Sequence, residues 1–201
     1  MRRGTGVMFV MAALLALGAS EARAQKVSVG GHQNTRQGFW WGAGAGTAWN
    51  QLNCDICSDS RRNGFNLTGK LGGTVSQNLL LGAEGTGWYS SDDPVTELFG
   101  GLSAIAQGYP SAAGAFYFKA GFGLTTYRAS DSLDEDQTFT SSAMGPQLGV
   151  GYDFRVSRNL SITPYSSVMF AAFGGLRLNG DEISDNASFT LIQVGLGLTW
   201  H

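Results

Sequence analysis

Two cysteines are the first residues whose type and spacing could do chemistry. Cys54 and Cys57 form a Cys-x-x-Cys pair, which suits a redox centre or part of a metal site. A redox pair of this kind works at a helix N-terminus, and a zinc site needs further Cys or His ligands nearby; the surrounding sequence offers neither. We therefore predict a loop disulfide between Cys54 and Cys57, which would contribute no more than about 2 kcal/mol because its ring is short.

Two histidines and an acidic run are the other candidates for chemistry. A Ser-His-acid hydrolase needs a histidine that can act as base for the serine, but His32 precedes the first predicted strand and His201 is terminal. The acidic run at residues 131–136 lacks the ligand spacing and the glycine of a calcium loop, so it is interpreted as a solvated surface loop. We therefore predict no enzymatic activity, no metal and no cofactor.

The elements that must position interacting side chains are strands, because apolar and polar residues alternate. The alternation is clearest in residues 65–75, 115–127 and 190–200. In the second segment, Phe116, Phe118 and Phe122 are apolar, whereas Tyr117 and Lys119 between them are polar. A period of two predicts strands and does not fit a helix. Extended along the chain, it predicts an all-β fold with strands at residues 38–52, 64–76, 79–91, 97–108, 115–129, 138–156, 160–175 and 188–201.

The connections between these eight strands alternate in length. Short ones lie at 77–78, 109–114 and 157–159, and mostly longer, acidic ones lie at 53–63, 92–96, 130–137 and 176–187. The sequence Val-Ser-x-Asn-Leu occurs at two short turns, where Asn78 and Asn159 tolerate left-handed backbone. Short periplasmic turns and longer outer loops are typical of an antiparallel up-and-down transmembrane β-barrel.

The first residues predict export. Residues 1–24 combine a basic start, an apolar run and a small-residue cleavage site, which indicates a signal peptide. A leader would follow at 25–37 and the barrel domain at 38–201. Without residues 1–24, the 13 basic and 15 acidic residues fall to ten and fourteen, and this mildly acidic balance does not favour nucleic-acid binding.

Five charged residues share the strand face opposite the large apolar side chains: Lys70, Glu84, Lys119, Asp153 and Arg155. A transmembrane barrel turns this face to its lumen, whereas a ligand-binding soluble barrel would line the lumen with apolar residues. Lys70 and Glu84 flank one turn, so we expect them nearly opposite each other. Because buried charges must be paired, we predict an interior network of all five residues that blocks the lumen.

Aromatic residues are predicted at both membrane interfaces. Those at the periplasmic side are Phe39, Trp41, Tyr152, Phe154 and Trp200, and those at the outer side are Trp49, Phe65, Tyr89, Phe139 and Phe189. Two prolines, Pro146 and Pro164, must also be accommodated in strands of the closed wall. Pro164 has no N–H to donate, so we predict a β-bulge there.

Three segments carry a resemblance to a known family: residues 38–46, 160–165 and 191–200. With them, the chain from residue 25 onward resembles the eight-stranded outer-membrane β-barrel family of opacity-protein and outer-membrane-protein-A-like domains. The resemblance implies an integral outer-membrane protein of a Gram-negative bacterium, inserted by the barrel assembly machinery. Such chains often end on Phe, whereas here Trp200 takes that position and His201 follows.

The predicted function is a structural, surface-exposed outer-membrane barrel, with surface contact or adhesion through its acidic outer loops. The alternative is a narrow channel for small molecules or ions. Expected partners are outer-membrane lipid and lipopolysaccharide, and we expect a monomer that binds no nucleic acid.

Overall fold

The computed structural model describes residues 36–53, 61–92, 94–131, 138–178 and 181–201. These residues form the strands β1 (Phe39–Asn53), β2 (Arg61–Ser76), β3 (Leu79–Asp92), β4 (Val95–Gly108), β5 (Phe116–Asp131), β6 (Thr138–Tyr152), β7 (Phe154–Arg155), β8 (Leu160–Leu178) and β9 (Asp181–Trp200). Within the part of the chain described, no helix is long and apolar enough to cross a membrane. The predicted signal peptide, the leader up to residue 35 and the predicted Cys54–Cys57 disulfide lie outside the described residues.

The strands close into a barrel. Neighbouring strands pair antiparallel in chain order, and β1 also pairs with β9, so the sheet has no free edge. The two-residue strand β7 continues β6 past Asp153 and pairs with β8 in the same direction as β6 does. The wall therefore has eight strands, and the predicted all-β, eight-stranded antiparallel up-and-down barrel is confirmed.

Strand bounds agree with the predicted ones to within three residues, except in the last hairpin. The predicted loop at 176–187 is instead mostly strand, because β8 reaches Leu178 and β9 begins at Asp181. The polar composition of this segment suggested a loop. Strands, however, pair through backbone hydrogen bonds. Polar side chains are therefore compatible with strand pairing where the wall extends past its apolar band.

The predicted bulge at Pro164 is absent. Pro164 pairs with Leu196 of β9 in an unbroken register. On its other side, the ladder is interrupted beside Asp153 and resumes in the same register at the pair Phe154–Ile162. The missing N–H of Pro164 is thus accommodated by an interruption in the pairing of β8 with β6 and β7, and no extra residue is inserted.

The two faces of the wall are inverted relative to a soluble protein. Large apolar side chains that are more than half exposed on the outside include Leu67, Leu71, Leu102, Phe118, Phe122, Leu124, Leu148 and Leu196. The inner face is tightly packed and carries many buried polar groups, among them Asn66, Gln107, Gln147 and Gln193. An apolar outside around a polar inside suits a barrel surrounded by hydrocarbon.

Candidate functional site

The lumen is the part of the molecule where the predicted site residues meet. We call the end with the short turns at 77–78, 109–115 and 156–159 the turn end, and the opposite end the loop end. Side chains fill the lumen at three levels between them. The three levels differ in the kinds of side chain that occupy them.

The central level is a buried ion pair. Lys119 Nζ of β5 lies 2.6 and 2.7 Å from the two carboxylate oxygens of Glu84 on β3. Gln147 of β6 donates a further hydrogen bond to Glu84 at 2.5 Å. Glu84 and Lys119 are only 3% and 6% exposed, so each charge depends on the other for its compensation. We call Glu84 and Lys119 the central ion pair; together with Gln147 it crosses the lumen.

Lys70 has the predicted position but does not make the predicted ion pair. It lies directly opposite Glu84 in the β2–β3 register. Its ammonium nevertheless approaches the rings of Trp40 and Tyr117, at 5.8 and 5.2 Å from their centroids. In the described portion of the structure, Lys70 forms no ion pair, because Lys119 reaches Glu84 from the far side.

A group of polar residues around Tyr165 extends the central level. The Tyr165 hydroxyl donates to Asn66 at 3.2 Å, and Asn66 donates to Gln193 at 2.9 Å. Gly44 and Gly195 make room for the Tyr165 ring, since a Cβ on them would lie 2.8 and 2.7 Å, respectively, from a ring carbon. A cavity bordered by Tyr165 has a volume of about 10 Å³, which is room for about one water.

The turn-end level is centred on Asp153. Its carboxylate accepts hydrogen bonds of 2.7 Å from the Tyr109 hydroxyl and from Thr163. Burial, and then the negative Asp153 carboxylate, raise the pKa of the Tyr109 phenol far above its ordinary value, so Tyr109 remains a donor. His201 Nε2 lies 3.6 Å from the same carboxylate. We call Tyr109, Asp153 and Thr163, together with Arg36, the turn-end cluster.

Arg36 closes the turn end, although the sequence predicts only a leader at this position. Its side chain is 1% exposed. The guanidinium donates to the carbonyls of Gln77, Ala112 and Gly114 at 3.3, 3.2 and 2.5 Å. It also lies 3.4 Å from the centroid of the Tyr109 ring. One side chain therefore fastens two neighbouring turns across the mouth of the lumen.

Arg155, the fifth predicted network member, lies at the rim of the turn end. Its Nη1 donates to the backbone carbonyl of Arg158 at 2.8 Å. Asp153, two residues away, bonds to Tyr109 and Thr163 instead. The structure thus divides the predicted five-residue network into the central ion pair, an aromatic site for Lys70, the turn-end cluster and a rim arginine.

The loop-end level is mainly apolar. Its buried residues, called the loop-end cluster, are Ala48, Trp88, Phe99, Tyr127, Ala129, Ala143, Met169, Ala171, Phe189 and Leu191. Trp88 satisfies its N–H by donating to the Ala48 carbonyl at 3.0 Å. Above the cluster, Arg62 and Glu97 form an ion pair at 3.2 Å.

Two aromatic residues of the loop-end level were predicted at the outer interface and lie inside the lumen. Phe189 is buried, and Phe139 packs against the same cluster. Phe189 has the same parity as the inward-facing Leu191 and Gln193, which is why it points into the lumen.

Five of the predicted interface aromatics lie near the two ends of the wall. Trp41, Tyr152 and Trp200 are exposed toward the turn end, and Trp41 stacks on Trp200 with ring centroids 5.5 Å apart. Tyr89 is exposed toward the loop end, and Trp49, on the same side, is half-buried. They have the positions of two interfacial belts.

Neither protein-family models nor curated protein sequences match this chain. Among solved structures, Neisserial surface protein A superimposes with a TM-score of 0.54 at 18% identity, covering 83% of this chain and 98% of that one. The chain has the fold of the eight-stranded outer-membrane β-barrels. The resemblance seen in the sequence is therefore confirmed at the level of the fold.

Two further outer-membrane barrels superimpose less closely on this one. The attachment invasion locus protein Ail of Yersinia pestis gives a TM-score of 0.43 at 16% identity, over 82% of this chain and 99% of its own. The N-terminal β-barrel domain of Pseudomonas aeruginosa OprF gives 0.45 at 11%, over 83% and 100%.

Proposed function

We propose that this protein is an integral outer-membrane barrel with a sealed lumen, and that it acts through its loop end in surface contact or adhesion. The observation that carries the proposal is the filling of the lumen at three levels. Charged and aromatic groups occupy the turn-end half, and an apolar cluster occupies the loop-end half. An eight-stranded barrel has an interior just wide enough for side chains to fill it.

The outer-membrane location is supported by the fold and by the exposed apolar wall. The loop at 130–137 carries four acidic residues and no basic one, which suits contact with a cationic partner surface. The proposed role is not enzymatic. Both ring nitrogens of His201 lack hydrogen-bond partners among the described residues, so no hydroxyl is paired with that base.

Protease treatment of intact cells tests the orientation. We expect cleavage only at the loop end, within residues 53–63, 92–96 or 130–137 or at the connection between Leu178 and Asp181. Cleavage at Gln77 or Arg158 in sealed cells would contradict the orientation, because both residues lie at the turn end.

Attachment of whole cells to a cationic surface tests the contact role. Neutralising Asp134, Glu135 and Asp136 together as Asn, Gln and Asn should lower attachment without changing the amount of barrel in the outer membrane. Neutralising Glu84 is unsuitable here, since that residue is buried in the lumen. Unchanged attachment of the loop variant would count against contact through this loop.

A further inference from the structure

A shallow groove crosses the outside of the wall between β5 and β1. Its volume is about 660 Å³, and its lining is almost entirely apolar. Phe116 and Tyr152 border it toward the turn end. From there it runs across β8 and β9 toward the middle of the wall.

The groove exists because the outward side chains along it are short. Ala45, Leu196 and Pro164 lie side by side across β1, β9 and β8, and in the next row Val194 lies beside Ser166. Only Leu196 in these rows is long. The outward residues on its turn-end side, by contrast, are the exposed rings of Phe116 and Tyr152, so the wall is recessed beside them.

The turn that follows the groove toward the turn end is cationic. Arg158 is exposed in the connection at 156–159, and Arg155 beside it donates to its carbonyl. No Asp or Glu side chain is exposed at the turn end in the described ranges, because Glu84 and Asp153 both point into the lumen. An anion arriving at this turn therefore meets positive charge without a competing carboxylate.

We propose that the groove and the cationic turn together bind one anionic phospholipid of the turn-end leaflet. One acyl chain lies in the groove along Pro164 and Ser166, and the phosphate lies at Arg158. The proposal rests on the membrane location proposed above. It adds a specific lipid site to that location.

The spacing of the two parts fits such a lipid. From Leu160, where β8 leaves the turn, to Pro164 is about 13 Å along the strand, or about 10 Å along the membrane normal at the usual tilt. One leaflet of hydrocarbon is about 15 Å thick, half of a typical core. A chain whose headgroup is held at the turn therefore reaches the groove with about the last third of its length.

Native mass spectrometry of the full-length protein in detergent, titrated with phosphatidylglycerol or phosphatidylcholine, tests the charge requirement. We expect one retained phosphatidylglycerol, bound about fivefold more tightly than phosphatidylcholine. Arg158→Gln should remove this preference. Arg128→Gln, a matched loss of an exposed arginine near the loop end, should leave it unchanged.

The groove requirement has its own variant pair. Ser166→Leu fills the groove and should weaken retention of both lipids, whereas Ala104→Leu, on an outward position of β4 away from the groove, should not. Equal binding of the two lipids by the wild type, or wild-type retention by Arg158→Gln or Ser166→Leu, would overturn the lipid site. A heat-modifiable band shift in outer-membrane fractions checks the barrel separately, so failure of the lipid site is distinguishable from failure of the membrane location.

Discussion

The two halves of the lumen are filled by different means. The turn-end half contains the central ion pair and the turn-end cluster, in which named donors meet named acceptors at 2.5 to 3.3 Å. The loop-end half contains the loop-end cluster, whose members pack by shape. Paired charges tolerate the loss of neither partner, whereas an apolar cluster tolerates changes that keep its volume. The comparison predicts that conservative substitutions are costly in one half and mild in the other.

The largest effect is expected at the central ion pair. Glu84→Gln keeps the shape of the side chain but leaves the Lys119 ammonium buried without its counter-ion. We expect a loss of about 3–5 kcal/mol in the free energy of unfolding, measured by urea denaturation in detergent or lipid. The double variant Glu84→Gln, Lys119→Gln should lose less than the sum of the two single variants. Strictly additive losses would show that the two residues are not coupled.

A smaller effect is expected where the turn-end cluster closes the mouth. Arg36→Ala removes three hydrogen bonds from a charged donor and its contact with the Tyr109 ring. We expect a loss of about 1.5–3 kcal/mol in the same assay. Arg128→Ala, an exposed arginine near the loop end, serves as the control and should change stability by less than about 0.5 kcal/mol. Equal losses of unfolding free energy in Arg36→Ala and Arg128→Ala would show that Arg36 does not help to close the turn end.

In the loop-end half, a volume-conserving substitution should be mild. Met169→Leu changes a buried side chain of the loop-end cluster without adding a charge or a cavity of methyl size. The expected loss is less than about 1.5 kcal/mol, again from urea unfolding. A loss as large as that of Glu84→Gln would contradict the difference between the two halves.

The smallest effect within the turn-end half is expected at Lys70. Its ammonium contacts aromatic rings and forms no ion pair within the described segments. Lys70→Met should therefore change the unfolding free energy by less than about 1 kcal/mol. A loss of several kcal/mol would place Lys70 within the central ion pair, as the sequence alone had suggested.

Local patterns in the sequence predicted the wall well. The alternation of Phe116, Phe118 and Phe122 with Lys119 depends only on strand geometry, so strand positions and faces followed from it. The same alternation, followed two residues back from Leu191, places Phe189 inside the lumen, where it lies. The interface assignment of Phe189 relied on its position along the strand and neglected its parity.

Contacts across the lumen could not be predicted in this way. Lys70 and Glu84 are neighbours in register, but the ion pair joins Glu84 to Lys119 from two strands away. Which long side chain reaches which carboxylate depends on the cross-section of the closed barrel. The role of Arg36 likewise depends on where two turns meet in space, which has no signal in the spacing of the sequence.

Conductance of the purified wild-type protein in planar lipid bilayers tests the sealed lumen most directly. Because the central ion pair, the turn-end cluster and the loop-end cluster occupy successive levels of a narrow lumen, the wild type should show no steady current above that of the lipid alone. A steady, protein-dependent current through the folded wild type would contradict the sealed lumen and favour the narrow channel.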